Sequence, residues 1–540
     1  MKGVCEMRKI RQQSSTLTRR KFIQIGAAGL VGSSVAMATA GTPASVPSVT
    51  KSPQDLRFGI GTDVVIMDPR MITATPVKSQ VMHVLDPLLF PREDGSIEEV
   101  VLSACEPVIS PPGWRVRVRP GIKFTNGEPF NAQTIKYSIL SYIDDANKSW
   151  VHPDCRSRFL LVNDVKIEDD LTALVITKQF NRALPIRFYQ FMMVPANYAG
   201  AKGKEFGIHP IGSGHYKFVE YRSKSHLHLE ANPNYPSYWG GPAKNRSVTF
   251  RILGENATRV AALEAGEVDM IDNVPPDAVD RIRKNPNLEV LTSPGSVRGT
   301  GMNFHCGRPP FNNLKARLAV MHAIDRDSIV QKILGGMTEA ATSPFPPGTL
   351  GVVGEKFQEY DFDIKKATQY FNEAGLTKGT KIKMGGSVGR YVNDKQVTTA
   401  VAGMLADIGF DPQLEQLPWG TYWTKGSQGY YDLFLAGWNT AAFDPLDWQH
   451  VYMGWGDDNA GVTHFVEQNK KVVDLFKKLD ETPSKAEAER AAKELAHLLW
   501  DNIPIAFLYY EPNIFAASKK VKGWKARRDA YIFLWEAYLG

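Results

Sequence analysis

The chain has 540 residues, 64 Lys/Arg against 57 Asp/Glu, and a hydrophobic share of 43%, a length beyond what one hydrophobic core usually supports, so two or three domains are expected. Seven basic residues (Lys2, Arg8, Lys9, Arg11, Arg19, Arg20, Lys21) and one acid, Glu6, fall in residues 1–40, which therefore hold six of the seven net positive charges. The rest is close to neutral, so the basic balance does not indicate a nucleic-acid partner.

Thr18–Gln24, TRRKFIQ, sets two arginines ahead of a mild apolar run, Ile25–Ala40, in which Ala36, Ala38 and Ala40 offer small-residue cleavage sites. Residues 1–40 read as a twin-arginine (Tat) signal peptide directing folded cargo to the periplasm. The run is shorter than the roughly 20 residues that span a bilayer. Residues 41–54, rich in Pro, Ser and Thr, form a flexible leader.

From Leu56 onward, strands alternate with helices. Leu56–Gly59 reads as a strand and Ser79–Leu85 as a helix. WRVRVRP alternates strictly, as a half-buried strand does, and stops at Pro120-Gly121. Asn131 caps a helix running to Ile143 with Ile135, Ile139 and Leu140 as its buried stripe. Val162–Ile167 and Ala173–Thr177 form an antiparallel pair. The stretch Thr249–Ile271 is the most informative: strand Thr249–Leu253, Asn256 as N-cap, helix Ala257–Ala265, a stop at Gly266, and a second apolar run from Val268. A helix joining two buried strands is a crossover unit of an α/β sheet. Helices follow at Leu314–Ala323, Lys365–Ala374 and Asp394–Ile408, then Val466–Trp500 interrupted at Thr482-Pro483.

Three thiols remain beyond Cys5: Cys105, Cys155 and Cys306. They allow at most one internal disulfide, and their spacing fits no zinc pattern. His226 and His228 share a strand face and His209 and His215 flank IGSG, yet no metal is expected. No GxSxG, HExxH, P-loop or CxxCH motif is present, so neither enzymatic activity nor a cofactor is expected. Five of the eleven tryptophans fall between Trp419 and Trp455, interleaved with Tyr422, Tyr430, Tyr431 and Tyr452. About half of these rings are expected in the core and the others on a binding wall.

RVRVRPGIKFTNGEPFNAQTIKYSI (Arg115–Ile139), PIGSGHYKFVEY (Pro210–Tyr221), RPPFNNLKARLAVMHAIDRDSIV (Arg308–Val330) and AGWNTAAFDP (Ala436–Pro445) occur in this order. Together with Thr249–Pro276 they closely resemble the large solute-binding proteins of ABC importers, the oligopeptide, dipeptide and nickel-binding group known as family 5. The resemblance implies a periplasmic binding protein-like class II α/β fold. Domain I would comprise 55–97, 205–296 and 505–540, domain II 98–204, and domain III 297–504. It further implies a monomer that delivers a small-molecule solute, peptide-like or otherwise polar, to an ABC permease of two membrane subunits and two ATPases.

By the same resemblance, Arg390 grips a ligand carboxylate, and Trp419 and Trp438 line the pocket with Asn439 next along the strand. Ala441 stands where peptide-binding relatives carry the aspartate that holds the α-ammonium, so Asp444 or Asp447 would have to substitute. That departure leaves sugar-like, opine-like or nickel-complex solutes open. A secreted enzyme or an extracytoplasmic sensor on this fold is the reading from another class.

Overall fold

The computed structural model describes residues 54–293, 296–440, 442–453 and 461–540; the segment expected to be an export signal, nearly all of that expected to be a leader, Ala441 and Trp455 lie outside them. Strand Asp55–Ile60 pairs in parallel with both Ser247–Ile252 and Met270–Ile271. Helix Asn256–Glu264 connects the latter two, so the expected crossover is present with the N-terminal strand between its arms. Gly266 ends the helix at φ +69°, a conformation that costs glycine little.

The predicted cap is displaced. Glu255 occupies the N-cap without a side-chain bond, and Asn256 is the first helical residue, its Oδ1 accepting from Arg259. The Asn131 cap holds: its side chain accepts from Gln133 N (3.1 Å) and Thr134 N (3.3 Å), and Thr134 Oγ1 accepts from Asn131 N at 3.2 Å. On that helix Ile135 and Ile139 are buried, while Leu140 is half-buried.

Three sheets of four or more strands organise the described residues, beside two two-stranded ones. The seven-stranded one contains Asp55–Ile60 and the antiparallel strands Tyr216–Arg222 and His226–Ala231. A four-stranded antiparallel sheet holds Leu102–Val108, Gly113–Val118, Val162–Ile167 and Thr172–Thr177. The five-stranded sheet runs Phe410–Pro418, Thr380–Val388, Leu433–Asn439, Arg298–Phe304, Ile505–Tyr510. All seven residues of Arg298–Phe304 are buried, as expected of an interior strand covered on both faces.

Ile505–Tyr510, assigned with domain I from the sequence, pairs with Arg298–Phe304 in the five-stranded sheet. Ile514–Ser518 then joins the seven-stranded one. Both segments are apolar and fully or almost fully buried, so only pairing distinguishes them. Strands Leu288–Thr292 and Arg298–Phe304 thus lie in different sheets, as do Ile505–Tyr510 and Ile514–Ser518, and Glu511 N donates to Arg298 O at 2.9 Å.

Cys105 and Cys306 are free thiols, the Cys155 thiol donates to Ile72 O at 3.3 Å, and burial pushes Cys306 up to about 12. His215 is stacked between Tyr235 and Trp535, with centroids at 3.8 and 3.9 Å. His228 shares a hydrogen bond with Thr249 Oγ1 at 2.9 Å. Among the described residues no helix is long and apolar enough to cross a membrane.

Candidate functional site

A cavity of about 100 Å³ lies where the sheets face one another. Ala74, Lys78, Arg158, Tyr189 and Gln190 line it from the side of the seven- and four-stranded sheets. From the five-stranded side come Arg298, Arg390, Tyr391, Trp419, Trp423, Trp438, Asn439 and Asp447.

The loop after strand Thr380–Val388 presents Arg390. Gly389 takes φ +77°, and a Cβ there would meet Gly254 O at 2.6 Å across the interface, so only glycine allows this approach. Asp394 then gathers the loop: its Oδ2 accepts from Arg390 N (2.9 Å), Tyr391 N (3.2 Å) and Ser387 Oγ (2.9 Å), and its Oδ1 from Gly389 N (3.1 Å). These bonds use the Asp394 carboxylate to hold backbone and leave the Arg390 guanidinium free to enter the cavity.

Arg390 lies over two rings, 4.6 Å from the centroid of Tyr391 and 5.1 Å from that of Trp419, a cation–π arrangement. Trp419 stacks on Trp423 at 5.3 Å and 13°, and Trp423 meets Trp438 edge-on at 5.7 Å. Trp438 Nε1 donates to Asn303 Oδ1 at 2.9 Å, which fixes the ring. The result is a rigid aromatic wall with a cation on it.

Arg298 opens the strand registered against Asn439, and its side chain lies across Gly437, where a Cβ would come within 3.0 Å of its Cδ. Arg298 and Arg390 are each 5% exposed. Burial first, then repulsion from Arg390, pushes Arg298 down to about 10. Glu511 is the nearby acid, but Thr300 Oγ1 and Val392 N (3.1 Å each) occupy its two oxygens. Burial raises its carboxyl above the ordinary range despite the two guanidiniums. Arg298 Nη2 and Arg390 Nε are buried without a partner, as is Asn439 Oδ1. The cavity therefore offers charged donors and an amide acceptor to whatever enters.

Of the residues named from the sequence, Arg390, Trp419, Trp438 and Asn439 line this cavity. Asp444 does not: its carboxylate accepts from Arg182 Nη1 (2.6 Å) and Nη2 (3.1 Å) and from Leu446 N (2.9 Å). Asp447 does, accepting from Tyr189 OH (3.2 Å) and Gln190 Nε2 (2.8 Å). Burial, then repulsion from Asp444, pushes it up to about 7. Trp448 is fully buried in the core. Sequence reasoning missed Arg298, and it counted Trp423 among the clustered rings without favouring it for the cavity. The available signal was an arginine opening a Gly-rich apolar strand, RGTGMNF.

Residues 104–460 match the model of the bacterial extracellular solute-binding proteins, family 5. The glutathione-binding protein GsiB of Pectobacterium atrosepticum is 27% identical over 436 residues, covering 77% of this chain and 80% of that protein. The fold is shared with AgaA of A. tumefaciens R10, solved with agropinic acid (TM-score 0.81, 20% identity, 90% of this chain and 99% of that one). It is also shared with the periplasmic binding protein DppA of Helicobacter pylori, solved with the peptide STSA (TM-score 0.78, 21% identity, 90% and 98%). This chain, a two-lobed α/β protein of the class II periplasmic binding type, belongs to the family 5 extracellular solute-binding proteins that serve ABC importers.

Proposed function

We propose that this protein captures a small carboxylated solute between its lobes and releases it chemically unchanged to its permease. The observation that carries this reading is the pair of nine-tenths-buried guanidiniums, Arg298 and Arg390, which share a cavity and find no protein acceptor among the described residues. Buried charged donors left unpaired are costly, and a carboxylate offsets that cost through parallel N–H···O bonds. The aromatic wall supplies contact area at little rotamer cost.

Asp444 is engaged by Arg182, Ala441 carries no charge, and Asp447, though on the cavity wall, is bonded to Tyr189 and Gln190 with its carboxyl pushed up to about 7 by burial. A free α-ammonium is therefore no requirement for the solute, which favours acidic solutes over ordinary N-terminal peptides. Glutathione and agropinic acid, the compounds named with two of the relatives above, are anionic candidates. The reading extends to export of a monomer through the twin-arginine route and to delivery to two membrane subunits with two ATPases. It places domain II at 98–204, domain III near 297–510, and domain I in the rest of the chain beyond residue 54.

Small-angle scattering with and without the copurified solute tests the reading. A decrease in radius of gyration with the solute recovered intact supports it; no compaction, or a recovered product, removes it.

A further inference from the structure

Arg298 and Arg390 together carry ten N–H donors. Neither guanidinium has a hydrogen-bond acceptor among the described residues, and both are 95% buried in the wall of one cavity. The acids around them already accept hydrogen bonds, Asp447 on the same cavity wall from Tyr189 and Gln190. Both oxygens of Glu511 are taken by neutral donors, Thr300 and Val392. Asp272 pairs with Arg259 at 3.1 Å and accepts from Gly61 N at 3.2 Å. Asp394 spends its oxygens on the loop backbone. Glu511 therefore acts on the two arginines through its field and not through a bond.

Two like charges buried in the wall of one cavity repel, and this repulsion adds to the larger effect of burial in lowering Arg298. A single carboxylate presents about four lone-pair sites and matches one guanidinium fork. The other fork would stay desolvated without an acceptor, which is the costly arrangement for a buried charge. A group with two negative charges and three or more oxygens can meet both forks and cancel the repulsion. Lys78 and Arg158, on the opposite wall, add positive potential to the same space.

Resting on the carboxylated-solute reading above, we infer that Arg298 and Arg390 form one double-guanidinium site for a dianionic, oxygen-rich group on the solute, either a vicinal dicarboxylate or a phosphate monoester. Arg298 is on this account a specificity residue: Arg390 alone would accept a monocarboxylate, and Arg298 sets the preference for the second charge.

The test uses solute-stripped protein and four probes titrated by calorimetry at constant ionic strength: inorganic phosphate, succinate, its monoamide succinamate, and acetate. The expected result is at least tenfold tighter binding of phosphate or succinate than of succinamate and acetate. Arg298→Gln is expected to lose at least tenfold for the dianion and less than threefold for the monoanions, with Arg298→Lys intermediate. If Arg298→Gln fails to fold, the wild-type succinate-to-succinamate ratio and Arg298→Lys decide. Phosphate above succinate identifies a phosphate ester, and the reverse order a dicarboxylate. Equal affinities for succinate and succinamate, or equal losses on substitution, overturn the dianion site and leave the carboxylate reading standing. Binding of none of the four overturns both.

Discussion

Arg182 and Asp444 join the two sides of the cleft through a two-pronged pair, Nη1 to Oδ2 at 2.6 Å and Nη2 to Oδ1 at 3.1 Å. Arg182 precedes helix Leu184–Gln190, and Asp444 follows strand Leu433–Asn439. Around this pair Asp480 accepts from Asn181 Nδ2 (3.0 Å) and Ala183 N (2.8 Å), and Leu479 O from Arg182 Nε at 2.9 Å. The cluster ties residues 181–183 to Asp444 and to residues 479–480, and as a latch it would favour the state in which these segments meet. Arg182→Ala removes the guanidinium that pairs with Asp444, and hydrogen bonds to charged groups contribute about 1.5–3 kcal/mol each. Solute affinity is expected to fall by roughly 2 kcal/mol in calorimetry, with a larger radius of gyration at subsaturating solute. Unchanged affinity and scattering would show that the latch does not govern closure.

Arg390→Ala deletes one of the two cavity guanidiniums. An acidic solute is expected to bind more weakly by roughly 2–5 kcal/mol, the usual cost of leaving a buried charge without its partner. Melting of the solute-free protein should change little or rise, because the substitution also relieves repulsion against Arg298. A calorimetric change below ~0.5 kcal/mol would take Arg390 out of the site.

Asp447 makes stability depend on pH. Its carboxyl is pushed from 3.8 up to about 7 by burial, with Asp444 adding repulsion and Arg158 opposing it. Tyr189 and Gln190 face it from the other side of the cleft. A group that holds its proton more tightly when folded stabilises the fold fully below about pH 4. That contribution is lost as pH rises through about 4 to 7 and is flat above. The loss is at most about 1.4 kcal/mol per pH unit for one proton. Asp86, also pushed up to about 7 by burial, acts in the same direction. Chemical denaturation of Asp447→Asn across pH 4–8 should show a shallower decline than the parent. An unchanged slope would mean that Asp447 does not titrate in this window.

On the twin-arginine route proposed above, Arg19 and Arg20 would be the pair that the export machinery recognises. Lysine at both positions keeps the charge but removes the paired guanidinium that a twin-arginine receptor reads. Fractionated cells should then retain the precursor. Export at the normal level would assign the segment to the general secretory route.

Local signals on this chain carried further than global ones. Asn131 announces its helix because side-chain capping is a contact between residues two and three apart. Thr249–Ile271 announces a crossover because propensity, stop and period agree over one short window. Asn256 was displaced by one position because Arg259, a turn later, competes for its side-chain oxygen. Ile505–Tyr510 could not be assigned to a sheet from its own residues, since an apolar strand buried on both faces fits either one. Arg298 shows the same limit at the site: its function depends on Gly437 leaving room and on Arg390 lying beside it, residues 139 and 92 positions away in the chain. Arg390, Trp419, Trp438 and Asn439 were reached through family resemblance, while their common wall is a property of the folded sheet.

The most direct test of the whole account is native mass spectrometry of protein taken from its source compartment, followed by denaturation of the same sample. The predicted result is one anionic solute at one copy per chain, absent from protein carrying Arg390→Ala and Arg298→Gln together. A neutral or cationic solute held equally by both proteins would contradict it.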